Sequence, residues 1–158
     1  MIIHPIEPVY DRNSKVLILG SFPSVKSREE QFFYGHPQNR FWKVIAAVME
    51  KSVPATIDEK RTLLLTSGIA LWDVIASCDI TGSADSTIHN VVPNDIRRIL
   101  NETDIQKIFV NGRTSEKYYR KYLKNVTHQE AVCLPSTSPA NASWSLDQLI
   151  EQWRVIRN

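Results

Sequence analysis

"KVLILGS", residues 15 to 21, is a short apolar run closed by a glycine. That pattern predicts a buried strand that empties into a loop. It recurs in "KIFVNG" at 107 to 112, and "AVCLPSTSPANAS" at 131 to 143 reads as a strand followed by a loop of small residues. "IALWDVI" at 69 to 75 is a strand or an extended segment. Helical patterns lie between these runs. "NRFWKVIAAVME" at 39 to 50 has apolar side chains at helical spacing, with Asn39 placed to cap it. Thr56 and Glu59 match a capping box for a helix running to Ser67, with Gly68 as its stop. Further helices are expected from Pro93 to Asn101, over 114 to 123 and over 144 to 156, the last capped by Ser143 or Ser145. Residues 77 to 92 read as irregular. Strand–loop–helix repeated in this way predicts a parallel sheet with helices on both faces. Right-handed crossovers then bring the strand-end loops 20–39, 111–114 and 135–143 to one edge, where ligands bind in such folds.

The chain has 158 residues, which suits one domain spanning 1 to 158. Apolar content is 42%, charged content 23%, and the formal charge +2, too mild to announce a nucleic-acid partner on its own. Cys78 and Cys133 form no CxxC pair and cannot make a four-ligand cluster. They are expected to be buried free thiols of a reducing compartment. "MIIHPIEPVY" has no basic region before a long apolar run, so no signal peptide is expected. No stretch approaches the ~18 apolar residues of a membrane span.

The three loops carry the polar chemistry. "GSFPS" begins at Gly20, "GHPQNRFW" runs from Gly35 to Trp42, and "STSPANAS" from Ser136 to Ser143. His36 lies sixteen positions after Gly20. With "FVNGRT" at 109 to 114, these motifs resemble, in order and spacing, the uracil-DNA glycosylase superfamily. They look most like its hypoxanthine-DNA (deoxyinosine) glycosylase branch, and the resemblance covers about residues 14 to 156.

The resemblance implies a three-layer α/β/α fold around a mostly parallel four-stranded sheet. It also implies an enzyme that flips a damaged base out of DNA and hydrolyses its N-glycosidic bond, with no metal or cofactor. Relatives hold the attacking water with an acidic or amide residue in the first motif, and the matching position here is Phe22. A phenyl ring cannot do that, and the catalytic role passes to the match at Asn39, which can hold water only by hydrogen bonds. Where relatives place a histidine near the departing uracil, this chain has Ser136. Tyr34 matches the aromatic that stacks on the flipped base, and Gly20, Ser21 and Phe22 match the substrate loop. Asn111 ends a strand at the functional edge, where both ends of its amide could read the base. Ser24, Ser136, Ser138 and Asn141 are candidates for DNA contact, and Asn141 and Ala142 lie where relatives push a wedge into the duplex.

Other residues have plainer readings. His36 is expected to satisfy backbone, and Arg40 to reach phosphate or stay solvated. Trp42, Trp72 and Trp153 belong to the core, and Asp73 and Asp85 read as surface or capping carboxylates. No motif places Lys26 at the sugar, so simple hydrolysis is expected. The leading reading is a hypoxanthine glycosylase. Beside it stand a uracil or xanthine glycosylase and a non-catalytic damaged-DNA or nucleotide-binding module of the same fold. The expected setting is a cytoplasmic monomer acting on DNA, without a membrane.

Overall fold

The computed structural model describes residues 1–157. The first strand of the main sheet forms where the apolar run predicts. Val16–Gly20 (β2) is buried throughout, and Ile69–Asp73 (β3) joins it in parallel on one side. Lys107–Asn111 (β6) pairs in parallel on the other side, and Ala131–Leu134 (β7) pairs with β6. The order β3-β2-β6-β7 is all parallel, and helices cover it to give the three-layer α/β/α architecture. Burial on both faces explains why β2 and β3 read as continuous apolar runs instead of alternating ones. The outer edge of β3 is covered by the chain itself, since Val9 and Leu71 exchange both backbone hydrogen bonds at 3.0 and 2.9 Å.

The irregular reading of 77 to 92 is corrected. Ile75–Asp79 (β4) and His89–Pro93 (β5) form an antiparallel pair, and Ile2–Ile3 (β1) completes a second, three-stranded sheet in the order β1-β4-β5. Register shifts between Ile75 and Ser77 and between Ser77 and Asp79 break the period-two alternation that would have betrayed these strands. Pro93 therefore ends a strand and does not open a helix; the helix that follows is short, Arg97–Leu100 (α4).

Val25–Glu30 (α1) is capped by Ser24, and Phe41–Val48 (α2) follows the GHPQNR loop. The N-cap position of α2 is Arg40, whose side chain makes no capping bond; Asn39, one residue earlier than expected of a cap, supplies the acceptor instead, its Oδ1 taking the Phe41 N–H at 2.9 Å. In Ile57–Thr66 (α3), Thr56 accepts the Glu59 N–H, but Glu59 reaches back to the Ala55 N–H. Gly68, at φ +71, turns the chain out of α3 into β3, a conformation that favours glycine. Arg113–Tyr118 (α5) passes through a π turn, Tyr119–Leu123, into Lys124–Thr127 (α6). Leu146–Trp153 (α7) opens on a capping box of Ser145 and Gln148, with Ser143 uninvolved, and packs on α2. Phe41 stands edge-on to both Trp42 and Trp153, at 4.9 and 5.9 Å between ring centres. Trp42, Trp72 and Trp153 lie in the core, each indole N–H reaching a backbone carbonyl: Phe33 for Trp42, Ile6 for Trp72 and Pro135 for Trp153. Both thiols are free; Cys78 is buried and Cys133 half-buried, and desolvation pushes both thiol pKa values up. Among the described residues no helix is long and apolar enough to cross a membrane.

Candidate active site

Parallel register lines up the strand ends. Gly20 pairs with Asp73, and Asn111 follows Val110, the partner of Leu19. Asp73, Gly20 and Asn111 therefore stand side by side at the C-terminal edge of the sheet. The loop after β7 comes over them, and together they floor a cavity of about 310 Å³. That is the size of a small-molecule pocket. Among the described residues no cluster of three or more His, Cys, Asp or Glu is placed to hold a metal ion.

Thr137 ties the cavity together and is fully buried. Its hydroxyl donates to Asn39 Oδ1 at 2.9 Å and accepts from Asn111 Nδ2 at 3.0 Å. Its backbone N–H donates to Asn111 Oδ1 at 3.1 Å, and its carbonyl accepts the Arg40 N–H. Asn111 Nδ2 also donates to the Tyr34 hydroxyl at 3.1 Å. Both amide hydrogens of Asn111 are thus spent inside the protein, which corrects the expectation that both ends of this amide face a base. One lone pair on its Oδ1 is left. Thr137→Val removes the hydroxyl that joins both amides and leaves buried groups unpaired. The expected cost is about 1–3 kcal/mol, read by chemical denaturation.

Asn39 is oriented by the same bonds. Its Oδ1 takes both the Phe41 N–H and the Thr137 hydroxyl, so that end of the amide is fixed. Its Nδ2 has no partner among the described residues, and Asn39 lines the cavity. The side chain therefore offers the pocket a donor.

Tyr34 adopts a left-handed backbone, φ 52, which turns its ring against Phe41 with centres 4.1 Å apart. Burial and, after it, the Asp73 carboxylate push its hydroxyl pKa well above the ordinary value. Burial pushes Tyr118 and Tyr119 the same way. A raised tyrosine pKa stabilises the fold fully below the unfolded value of ~10 and loses that contribution as pH rises beyond it, because the unfolded chain ionises first. Denaturation between pH 9 and 11 should show stability falling above pH ~10, with a shallower fall in Tyr34→Phe.

Asp73 corrects the sequence reading. It is not a surface or capping carboxylate; the Asp73 and His4 side chains are 5% and 3% exposed and meet at 2.7 Å, Oδ2 to Nε2. His4 Nδ1 accepts the Ile6 N–H at 3.1 Å, so the ring proton sits on Nε2 and donates to Asp73. Asp73 Oδ1 has no hydrogen-bond partner among the described residues and lines the cavity over Gly20. The sequence signal for Asp73 is the strand pattern itself, an apolar run ended by a polar residue in register with Gly20. His4 has no such signal, being 69 positions away.

Arg40 is also corrected. It neither reaches outward nor stays solvated. Its guanidinium donates to the carbonyls of Trp144, Ser138 and Asn141, the last two at 3.1 and 3.0 Å, and so clamps the final loop. Arg40→Ala should free that loop, seen as faster proteolysis between residues 138 and 144 with the rest of the fold retained. His36 satisfies backbone as expected, its Nδ1 accepting the Gln38 N–H.

Phe22 forms part of the cavity wall, edge-on to His4 at 5.9 Å, with the Arg28 guanidinium 5.7 Å from its ring centre. Ser21 also lines the cavity, and its hydroxyl has no partner among the described residues. The Ser24 hydroxyl is spent on α1, accepting the Ser27 N–H and donating to Ser27 Oγ at 3.1 Å. Ser136 and Ser138 each accept one loop N–H and keep their own proton to give. Asn141 lies outside this cavity, in a neighbouring groove with Arg113 and Trp144, and its amide donates to the Ser136 carbonyl. Asp85 stays exposed at the mouth, opening the short 3-10 turn Asp85–Thr87.

The strand-edge pocket thus combines a buried carboxylate, a tethered amide and the serine loop after β7. Residues 7–157 fit the model of the uracil DNA glycosylase superfamily, and the chain belongs to it. It is 33% identical over its full length to the full length of a hypoxanthine DNA glycosylase of Methanosarcina acetivorans. It is 29% identical to a second, from Methanosarcina barkeri, over 85% of each chain. A solution NMR structure from M. acetivorans, described provisionally as a uracil DNA glycosylase, superposes with a TM-score of 0.84 at 32% identity over 99% of this chain and 98% of that one.

Proposed function

We propose that this protein releases hypoxanthine, the deaminated form of adenine, from DNA by hydrolysing its N-glycosidic bond, leaving an abasic site. The observation that carries the reading is the Asn39 amide, lining the strand-edge cavity with its oxygen committed and its Nδ2 free to donate. The two Methanosarcina relatives named for this activity support the choice of base.

In this reading the nucleotide is flipped from the duplex into the cavity, where Tyr34, backed by Phe41, offers a ring for the base to stack on. The bond to the base loosens first and the sugar takes on oxocarbenium character. The electron pair of the N9–C1′ bond leaves with hypoxanthine. Asn39 Nδ2 donates to one lone pair of a water and leaves the other free to attack C1′, and the proton the water sheds passes to the departed purine anion. Asparagine takes no proton, so its contribution is positioning. Such a mechanism suits a reaction in which bond breaking runs ahead of attack. Ser21, Ser136 and Ser138 supply donors to the DNA backbone, and the neighbouring groove with Arg113 and Trp144 continues its path. The protein acts as a monomer in the cytoplasm.

The test is a panel of duplexes bearing hypoxanthine, xanthine or uracil, with abasic sites cleaved after incubation. Hypoxanthine release fastest of the three supports the reading. Intact hypoxanthine strands at enzyme excess sink it, and uracil as the best substrate moves the assignment within the superfamily.

A further inference from the structure

The strand-edge cavity and the neighbouring groove share a boundary made by Asp85, Asn111, Ser136, Ser138 and Ala140. Only Asp85 among these is charged. The loop 81–87 that carries it is tied down. The Thr87 hydroxyl donates to the Ala84 carbonyl at 2.6 Å and accepts the Thr81 N–H at 2.9 Å. Ser83 Oγ accepts the Val25 N–H at 2.9 Å, and Arg28 donates to the Gly82 carbonyl at 2.6 Å, so α1 holds the loop as well. The residue is exposed as a whole, yet desolvation raises the pKa of its carboxyl, offset in part by the Thr114 hydroxyl of α5. No cation pairs with it among the described residues. An anion drawn partly out of water without a counter-charge works against DNA binding, since the phosphates repel it. The hydrolysis just described gives it no task.

We infer that Asp85 is a further catalytic residue: its carboxylate faces the deoxyribose of the extruded nucleotide and stabilises the positive charge that builds on C1′ and O4′ as the base departs. This rests on the glycosylase reading above. With the base in the cavity and the backbone in the groove, the sugar joins the two and lies where their walls are shared. The N9–C1′ electron pair leaves with the base, and the sugar is the one part of the DNA that turns cationic. An anion fixed at that boundary meets the charge only as it develops, so it lowers the barrier without tightening the ground state. The carboxylate forms no bond to carbon and takes no proton. Asn39, which lines the cavity but not the groove, keeps the water. Phe22 leaves the first loop without an acid, and the β4–β5 loop brings one to the same cavity from a different element.

The experiment compares the affinity of wild type, Asp85→Asn and Asp85→Glu for two duplexes with a sugar analogue at the lesion position. One carries a pyrrolidine, whose protonated ring nitrogen mimics the cationic sugar, and the other a neutral tetrahydrofuran. Wild type should bind the pyrrolidine duplex about 10-fold or more tightly than the tetrahydrofuran duplex, as a site complementary to the transition state does. Asp85→Asn should bind the tetrahydrofuran duplex as well as wild type or better, having lost a repelling charge, while its preference for the pyrrolidine shrinks to about 2-fold. In single turnover it should release hypoxanthine about 10²-fold more slowly, and Asp85→Glu, which keeps the charge, should recover part of that rate. Equal binding of the two analogues by wild type overturns the inference. So does an Asp85→Asn that releases hypoxanthine at the wild-type rate, or one that is slow but keeps the wild-type preference, since Asp85 would then only brace loop 81–87. If circular dichroism finds Asp85→Asn unfolded, the wild-type preference and its retention in Asp85→Glu decide. Failure of wild type to release hypoxanthine would strike the glycosylase reading itself, whereas release with no preference between the analogues would strike only this one.

Discussion

Asn39→Ala lowers the rate of base release by about 10²–10³-fold, the usual loss when one positioning hydrogen-bond group is removed from a hydrolytic site. The loss should fall on turnover and leave KM close to wild type, because the amide is assigned to the water and not to the base. Stability should change far less. Alanine deprives the Phe41 N–H of its cap and the Thr137 hydroxyl of its acceptor, and a lost cap costs about 1 kcal/mol. Steady-state kinetics together with a denaturation curve separate the two effects. A variant with near wild-type turnover would remove Asn39 from the chemistry and leave it a helix cap. Asn39→Asp is the informative companion. It keeps the acceptor for Phe41 and Thr137 but replaces the free N–H donor by oxygen, so it should retain the fold and remain slow.

Gly20→Ala should be nearly as damaging, by a different route. The new Cβ would stand 2.4 Å from Asp73 Oδ1 and 2.8 Å from the Tyr34 hydroxyl, both far inside contact distance. Neither neighbour has room to retreat. Asp73 is held by His4 at 2.7 Å, and Tyr34 is stacked on Phe41 and bonded to Asn111. Overpacking of this kind costs about 1–3 kcal/mol, and in a chain of this length each kcal/mol lowers Tm by roughly 2–4 °C. Activity should fall further than stability suggests, by about 10²-fold, because a displacement of ~1 Å in the groups facing a substrate is enough. The measurement is release rate beside Tm; a variant melting like wild type with full activity would show that the neighbours yield after all. The φ of Gly20 is not among the positive ones, so the requirement is for space and not for backbone freedom.

Much of this architecture is legible in the sequence because the main sheet is parallel and doubly covered. Burial on both faces makes "VLILG" and "IALWD" unbroken apolar runs, and each announces its strand. The glycine or polar residue ending each run marks the edge where the cavity forms. Asn39 could be placed because its neighbours, Phe41 and Trp42, fix where the helix begins. The second sheet is hidden for the opposite reason: β4 and β5 are short, bulged and partly polar, so no period survives in them. Roles that depend on contacts across the chain were also out of reach. Thr137 reads as one small residue in a loop of them, and only the fold sets it between Asn39 and Asn111, 98 and 26 positions away. Arg40 reads as a surface cation until the carbonyls 98 to 104 positions on close around it. His4 lies outside every motif, and it reaches Asp73 because the first residues run back along the β4 edge.

The row of Asp73, Gly20 and Asn111 has a consequence for how such an enzyme can diversify. Each of the three ends a strand whose backbone is fixed by its neighbours on the sheet, so exchanging a side chain there changes what faces the pocket without moving the chain. Asn39 hangs from a separate loop, anchored by α2 below and by Thr137 beside it. Substitution at the strand ends can therefore reshape the pocket wall while the Asn39 amide stays in place, so the two can vary independently.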